Sequence, residues 1–281
     1  MDAEAYRADS RDRWEAAAPG WAREREAFQR DAITVSRWLL DAAHLQPGHT
    51  VLELAAGPAD TGLLAAELVA PGGKAIITDN AEAMIEAAKA RAEEVGATNV
   101  EIRPMEAEWI DLPTASVDAV LCRWGYMLLA DPEAALRETR RVLRPGGRVA
   151  LAAWAGPDAN PWIAVMGRVM VERGLVEQLP ADAPGPLAFG RPGRIEELLD
   201  VAGFDDIEVA PLDFAFHAAS LDEWWEHSIA MSGSFSRVVG DLSPAEHYAL
   251  RDAVDAAYAP YVRDDGSLEI PARALMAAAS A

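Results

Sequence analysis

The sequence predicts an α/β fold in which helices cover both faces of a largely parallel β-sheet. Two observations support this prediction. Five short apolar segments, rich in Val, Ile, Leu and Ala, recur between residues 51 and 153. Stretches of helical length separate these segments, and strands that alternate with helices in this way build doubly wound parallel sheets.

The first strand ends at an acidic residue, Glu53, and a turn of small residues follows at 55–59. A helix is predicted to begin near Asp60 or Thr61. Its apolar stripe is formed by Leu63, Leu64, Leu68 and Val69. A strand that runs through a small-residue turn into a helix N-terminus brings backbone N–H groups close to a nucleotide-like ligand. The segment has neither a Gly-x-Gly-x-x-Gly motif nor a P-loop lysine, so an ordinary strand-to-helix turn is the alternative interpretation.

The second strand, residues 75–78, ends at Asp79. This acid follows the small-residue turn by about 20 residues, which is the spacing of a carboxylate that binds ribose hydroxyls. Asn80 is predicted to cap a helix over 81–95, and Gly96 is predicted to end that helix.

Three further strands continue the alternation, at residues 100–102, 117–122 and 148–153. Between the last two, Asp131 and Pro132 supply a capping acid and a proline at the first helical position. The helix that they open is predicted to end at the Arg-Pro-Gly-Gly string that begins at Arg144.

Five strings of residues are highly specific in combination. They are Val51–Gly62, Thr78-Asp79-Asn80 with Met84, Met105-Glu106-Ala107, Ser116–Val120 and Arg141–Arg148. With these strings, residues 51–153 resemble class I S-adenosylmethionine-dependent methyltransferases, in particular the ubiquinone/menaquinone-biosynthesis-like (methyltransferase type 11) subgroup. The resemblance implies a Rossmann-like sheet of seven strands in the order 3-2-1-4-5-7-6, with the last strand antiparallel and with helical lid inserts.

The resemblance also implies S-adenosylmethionine as the cofactor and S-adenosylhomocysteine as the product. The cofactor site that it implies consists of Glu53, Ala55, Ala56, Gly57, Asp79, Asn80, Met84, Glu106, Ala107, Cys122 and Arg123. In this site Asp79 would bind both ribose hydroxyls, Met84 would pack on the adenine, and Glu106 would accept from the adenine amino group. Gly57 would line the methionine part, with Cys122 under the sulfonium.

The chain departs from the pattern of that family at four positions. Ala55 and Ala59 replace glycines of the turn, and we expect this to be tolerated with negative φ angles. Glu106 stands where the family often has Asp. Met127 stands where the family often has His, which removes a candidate acid or base.

The net charge and the cysteine content restrict the kinds of partner and the cellular location that we expect. The chain has 281 residues and a formal net charge of −21, which argues against nucleic acid and anionic membrane surfaces as partners. The single cysteine, Cys122, cannot form an internal disulfide, and no set of cysteines suggests a metal site, so a reducing, cytoplasmic location is expected. The sequence shows no apolar leader and no membrane-length apolar run. A homodimer is one oligomeric state left open.

The domain division expected from the sequence has three parts. Residues 1–45 form an N-terminal helical cap, residues 46–155 the cofactor-binding core, and residues 156–281 the rest of the sheet. This last part carries helical inserts at about 156–193 and 220–265. Within it we predict helices over 162–173 and 194–202, a loop over 180–193, and strands over 207–216 and 268–278.

Tryptophans suggest the acceptor pocket, because nine of them occur in a chain that is otherwise poor in aromatic residues. The predicted pocket residues are Trp14, Trp21, Tyr126, Trp154, Trp162 and Trp224, and packing in the core of a lid is the alternative for most of them. His217, His227 and Tyr126 are candidate bases, with surface or structural roles as the alternative for the histidines. Arg123 either contacts the methionine carboxylate or the acceptor, or it pairs with an acid such as Glu4 or Asp12.

The sequence therefore predicts a methyltransferase that acts by in-line transfer on a small apolar or aromatic molecule, at oxygen or carbon. Two alternatives remain open. One is a protein that binds the cofactor but is catalytically silent. The other is an NAD(P)-dependent oxidoreductase, which the missing Gly-x-Gly-x-x-Gly argues against.

Overall fold

The fold is centred on one seven-stranded sheet in a computed structural model that describes residues 2–180 and 183–281. The strands are β1 (Thr50–Glu53), β2 (Lys74–Asp79), β3 (Val100–Pro104), β4 (Val117–Arg123), β5 (Leu143–Trp154), β6 (Asp205–Ala218) and β7 (Leu268–Ser280). Their order is β3-β2-β1-β4-β5-β7-β6, and β7 runs antiparallel to both of its neighbours. This confirms the strand order and the antiparallel last strand.

Helices lie on both faces of the sheet, as the alternating pattern predicts. They are α1 (Ala3–Ala42), α2 (Asp60–Val69), α3 (Glu82–Glu94), α4 (Pro132–Val142), α5 (Pro161–Glu172), α6 (Arg194–Val201), α7 (Leu221–Met231), α8 (Gly233–Gly240) and α9 (Pro244–Tyr258). Helices α7 to α9 form the insert predicted between the last two strands. The predicted loop over 180–193 includes residues 181 and 182, which lie outside the described residues. The three-part domain division stays a prediction.

Helix α1 is a single helix of 40 residues that contacts β4, β5, β6 and β7. Its second half is buried along Phe28, Ala32, Val35 and Leu39, whose spacing of four, three and four residues places them on one helical face. Its first half crosses α3 and contacts α7 and α8. The helix therefore covers the carboxyl ends of the central strands, where ligands bind in open α/β folds.

Two local predictions were wrong. Asn80 does not cap α3: the N-cap is Ala81, and Glu15 of α1 accepts hydrogen bonds from the backbone N–H groups of Glu82 and Ala83 instead. The cap thus comes from a distant helix, which no local pattern shows. Leu68 is 49% exposed, because it lies about 140° around α2 from the buried Leu63 at 3.6 residues per turn.

Within the described part of the chain, no helix combines the length and the apolar character that a membrane span requires.

Candidate active site

The small-residue turn lies where β1 ends and α2 begins. Ala55, Gly57 and Ala59 have φ angles of +51°, +53° and +70°. The expectation that the two alanines keep negative φ was therefore wrong: they adopt the left-handed conformation in which glycine is favoured. Their Cβ atoms make this conformation costly, by roughly 1–2 kcal/mol per residue. The turn keeps a glycine-type backbone although its sequence has lost two glycines, and no other heavy atom lies within 4 Å of the position that a Cβ would take at Gly57.

Asp79 points its carboxylate back at this turn. Its Oδ2 accepts from the Gly57 N–H at 2.9 Å, and its Oδ1 accepts from the Ala81 N–H at 3.1 Å. Burial raises the pKa of Asp79, and these backbone donors oppose the rise. The carboxylate is thereby fixed at the carboxyl end of β2, beside the turn.

Helix α1 closes over the next strand end. Arg11 donates to Glu106, whose other oxygen accepts from the Asn80 side chain at 3.4 Å. Arg7 donates to the buried Glu108. Together with the Glu15 contacts to α3, these pairs tie the first half of α1 to the end of the site that contains Asp79.

Met84 lies beneath this part of α1. It is 1% exposed and packs with Ala18 and Ala81, with Trp14 and Trp21 against the same small cluster. Trp14 and Trp21 therefore lie on the Met84 side of the site, and the Trp21 indole donates to the Met231 carbonyl at 2.9 Å.

A buried charge cluster lies on the opposite side of the turn. The Glu53 side chain is enclosed, and its Oε2 has no hydrogen-bond partner among the described residues. Burial raises the pKa of Glu53 to about 8, and the nearby Arg123 opposes the rise. The Gly62 backbone also lowers the pKa of Glu53, so this carboxyl lies against the first turn of α2.

Arg123 connects this cluster to α1. Its guanidinium donates to Gln29 Oε1 at 2.6 Å and to Ser36 Oγ at 2.9 Å, and it lies 3.9 Å from the Asp60 carboxylate. Asp60 also pairs with Arg25 at 3.1 Å. The suggested pairing of Arg123 with Glu4 or Asp12 was wrong, because α1 presents Gln29 and Ser36 to it rather than its first turns.

The backbone that follows β4 presses against the turn. A Cβ at Gly125 would come within 2.6 Å of both the Ala55 Cβ and the Cys122 Sγ, so only glycine fits there. Burial raises the pKa of Cys122 to about 12, which keeps the thiol protonated and unreactive. Trp124, between these two residues, has a φ of +62°.

Seven aromatic side chains form a set that is linked by ring contacts, some of them to Trp124 directly and the others through further members of the set. We call this set the aromatic cluster: Phe28, Trp124, Trp154, Trp162, Phe214, Phe216 and Trp224. The Trp124 and Trp154 rings stack at 4.3 Å with an interplanar angle of 10°. Phe28 meets Trp124 edge-on at 5.4 Å. Phe216 joins Phe28, Trp162 and Trp224 to the same cluster.

The predicted pocket residues thus separate into two groups and one outlier. Trp154, Trp162 and Trp224 belong to the aromatic cluster, whereas Trp14 and Trp21 lie near Met84. The Tyr126 hydroxyl is buried and bonded to Thr139 Oγ1 at 2.6 Å, and burial raises its pKa well above 10.0. Tyr126 therefore faces the core under α4, and we assign it neither a pocket role nor a base role.

The two candidate histidines have different surroundings. His217 is half exposed and lies 3.2 Å from the Asp31 carboxylate. His227 stacks on Trp224 with 5.7 Å between ring centroids and lies 3.2 Å from Glu24. Both histidines have a carboxylate partner on α1. No group of three or more metal-binding side chains occurs among residues 2–180 and 183–281.

Sequence reasoning missed two kinds of site residue. Trp124 and Phe28 were not assigned to the pocket, although the position of Trp124 directly after an apolar strand was visible. Asp60, Gln29 and Ser36 were missed as partners of Arg123. The left-handed φ of Trp124 and the crossing of α1 over β4 are tertiary features, so no local signal pointed to them.

Comparison with known proteins identifies the family. A family model described as a methyltransferase domain matches residues 52–151. Nocamycin O-methyltransferase from Saccharothrix syringae is 31% identical over 197 residues, which cover 67% of this chain and 70% of that protein. A ubiquinone/menaquinone biosynthesis C-methyltransferase from Pasteurella multocida is 31% identical over 126 residues, which cover 44% of this chain and about half (47%) of that enzyme.

Solved structures share the fold at low sequence identity. The YcgJ protein from Bacillus subtilis has a TM-score of 0.58 at 17% identity, covering 87% of this chain and 97% of that one. A phosphoethanolamine N-methyltransferase from Haemonchus contortus, solved with S-adenosylhomocysteine, has a TM-score of 0.60 at 17% identity, covering 96% of this chain and 60% of that one. With its matching family model, its related sequences and its strand order, the chain belongs to the class I S-adenosylmethionine-dependent methyltransferases.

Proposed function

We propose that S-adenosylmethionine lies across the carboxyl ends of β1, β2 and β4, with its ribose on Asp79. The support is the position of that carboxylate, which the Gly57 and Ala81 N–H groups hold at the end of β2. Glu106 would accept from the adenine amino group, and the Ala107 N–H would face the ring. Met84 would pack on the adenine from the α3 side.

The remaining residues fit the methionine part of the cofactor. The open space at Gly57 gives room for a ligand against the turn. Glu53 would lie near the ammonium group of that part, and Arg123 near its carboxylate group. Ala55, Ala56 and Cys122 would line the same stretch.

The aromatic cluster is the observation that supports the proposed substrate class, and we place the acceptor site beside it. Trp124 follows β4 and Trp154 ends β5, so both lie at the edge of the sheet where the methyl donor would bind. Pockets lined by aromatic side chains take apolar and planar molecules. We therefore propose a small apolar or aromatic organic acceptor, and the charge of −21 argues against nucleic acid.

In methyl transfer the protein mainly has to position the acceptor against the methyl group. Bound S-adenosylmethionine supplies an activated methyl group. The aromatic cluster orients the acceptor in line with that group and excludes water. An acceptor that is already an anion or an enolate needs no strong base, which accords with the side-chain pairing of Tyr126 and both histidines.

Methylation at oxygen and at carbon both accord with the relatives. One is described as an O-methyltransferase and others as C-methyltransferases. We propose transfer to oxygen or to an activated ring carbon of the acceptor.

The test is methyl transfer from tritiated S-adenosylmethionine to a panel of small phenols, hydroquinones, enols and carboxylates, with RNA and a mixed protein substrate alongside. We expect labelled product with at least one aromatic compound, together with S-adenosylhomocysteine in equal amount. Preferred labelling of RNA or protein would overturn the proposed substrate class.

The cofactor arrangement has its own test in Asp79→Ala. Loss of hydrogen bonds to a charged group costs about 1.5–3 kcal/mol. At about 1.4 kcal/mol per decade, the dissociation constant for S-adenosylmethionine should rise roughly tenfold or more, as measured by calorimetry. Asp213→Ala is the matched control, because Asp213 is an exposed carboxylate of β6 that pairs with Arg273 of β7. Equal affinities for a folded Asp79→Ala variant and the control would contradict the assignment.

A further inference from the structure

Trp124 holds a backbone conformation that bulky residues rarely adopt. Its φ is +62°, and its N–H donates to the Ala152 carbonyl at 2.9 Å, so the residue is fixed between β4 and β5. For a bulky side chain a positive φ is an outlier, and such strained residues cluster at functional sites. The neighbouring Gly125 packs closely against Ala55, so the segment that contains Trp124 lies directly beside the turn.

The indole of Trp124 carries an unused hydrogen-bond donor. The residue is 7% exposed, and its Nε1 is fully buried with no acceptor among the described residues. A buried donor without a partner is costly and rare in native proteins. The ring itself is held firmly, by the stack on Trp154 and by the edge of Phe28.

The positive charge of Arg123 near the Trp124 ring favours a negatively charged ligand group at the indole N–H. The Arg123 guanidinium carbon lies 5.3 Å from the centre of the Trp124 ring and 5.8 Å from that of Phe28. An indole N–H can only donate. The guanidinium nearby favours an acceptor oxygen that carries negative charge or can acquire it.

We propose that the Trp124 indole N–H binds the oxygen of a phenol or enol acceptor and so determines which molecules this enzyme methylates. The inference rests on the proposed function and deepens it: the acceptor is an aromatic or conjugated hydroxyl compound whose ring lies among the aromatic cluster. The nearby Arg123 favours its ionised form. The hydroxyl proton passes to water, the oxygen forms a bond to the methyl carbon, and the sulfonium–methyl bond breaks with its electron pair left on sulfur.

The decisive variant is Trp124→Phe, which keeps an aromatic ring and removes the N–H. The probes are 2-naphthol and naphthalene, which differ in one hydroxyl group. Binding of each to the full chain saturated with S-adenosylhomocysteine is measured by calorimetry. Trp225→Phe is the matched control, because Trp225 is a buried tryptophan that packs against Phe235 and Arg251, outside the aromatic cluster.

The wild-type protein and Trp225→Phe should bind 2-naphthol at least tenfold more tightly than naphthalene. Trp124→Phe should bind the two within about threefold, with unchanged affinity for S-adenosylhomocysteine. Its melting temperature should equal or exceed that of Trp225→Phe, because both changes remove the same ring volume but the first also removes an unsatisfied donor.

A preference that survives in Trp124→Phe, or a melting temperature that falls well below that of the control, overturns the inference and leaves the proposed function standing. Failure of both probes to bind, with no methyl transfer to any aromatic compound in the panel, overturns both.

Discussion

Glu53 brings a carboxyl group into the protein interior at the point where β1 meets the turn. Burial raises its pKa from an ordinary value of 4.5 to about 8, with the negative charges of Asp60 and Asp79 adding to the rise. Between these two pH values the folded protein retains a proton that the unfolded chain has lost. The contribution of this group to stability is therefore fully present below pH 4.5 and is lost as the pH rises through 8.

Glu53→Gln should remove this dependence. We expect the free energy of unfolding of the wild type to fall relative to that of the variant as the pH rises from about 5.5 to about 8.5, as measured by urea denaturation. Glu101→Gln is the control, because a hydrogen bond from Lys74 lowers the pKa of Glu101, which therefore does not titrate in this range. A wild-type-minus-variant difference that is flat with pH for Glu53→Gln would contradict the burial argument.

At the scale of single residues, the acids at strand ends were readable from the sequence, because a carboxylate after a buried strand has few structural uses. The position of Asp79 at the end of β2 was predicted in this way, and its role in binding stays a prediction. The conformation of Ala55 and Ala59 was not found, since alanine gives no sign of a left-handed φ. The backbone there is imposed by its surroundings, including the close approach of Gly125 to Ala55.

At the scale of elements, the position of α1 is set by its contact with α7. Pro19 has no N–H to donate, so the helical ladder is interrupted at the turn where α1 passes α7. At the next residue, Gly20, an added Cβ would lie 1.8 Å from the Ala230 carbonyl oxygen of α7. The two helices therefore meet backbone to backbone, and that contact fixes the position of the first half of α1 beside the proposed cofactor site.

Substitution of two helical glycines tests this contact. Gly20→Ala forces α1 and α7 apart, and overpacking of this kind costs about 1–3 kcal/mol. Gly167→Ala in α5 has open space at its Cβ, so it should raise the free energy of unfolding by roughly 0.5–1 kcal/mol through helix propensity alone. Urea denaturation measures both effects. Equal stability of the two variants would show that the close contact does not hold α1 in place.

Helices and strands were predicted correctly where the apolar periodicity and the capping residues lie close together in the sequence. The prediction failed where a residue distant in sequence supplies the helix cap. The strand order followed from a family resemblance anchored in specific strings such as the one that begins at Arg141. The cap of α3 comes from Glu15, 67 residues away. A capping residue so far away in the sequence cannot be recognised from a segment that is only as long as one helix.

At the scale of the whole molecule, the net charge of −21 acts against compactness. Carboxylates outnumber basic groups, and the repulsion among exposed ones extends over about 30 Å at 0.01 M salt but only about 10 Å at 0.1 M. The folded state should therefore gain more from screening than the expanded unfolded chain.

Sodium chloride should raise the melting temperature between about 10 and about 150 mM. A change of about 1 kcal/mol corresponds to roughly 2–4 °C for a chain of this size class, and a rise of that order is expected by scanning calorimetry. Repeating the scans near pH 5, where carboxylates begin to be protonated, should give a smaller rise. A melting temperature that is insensitive to salt at neutral pH would mean that ion pairs already compensate the excess charge.

The stack of Trp124 on Trp154 has an optical consequence. Two indoles with centroids 4.3 Å apart and planes 10° from parallel couple their excited states, and neighbouring rings of the aromatic cluster can pass excitation to them. The near-ultraviolet circular dichroism of the molecule should then be dominated by this one pair. A planar acceptor that binds beside the aromatic cluster, as proposed, would change the surroundings of this pair, and its arrival should then be visible in the spectrum without any label.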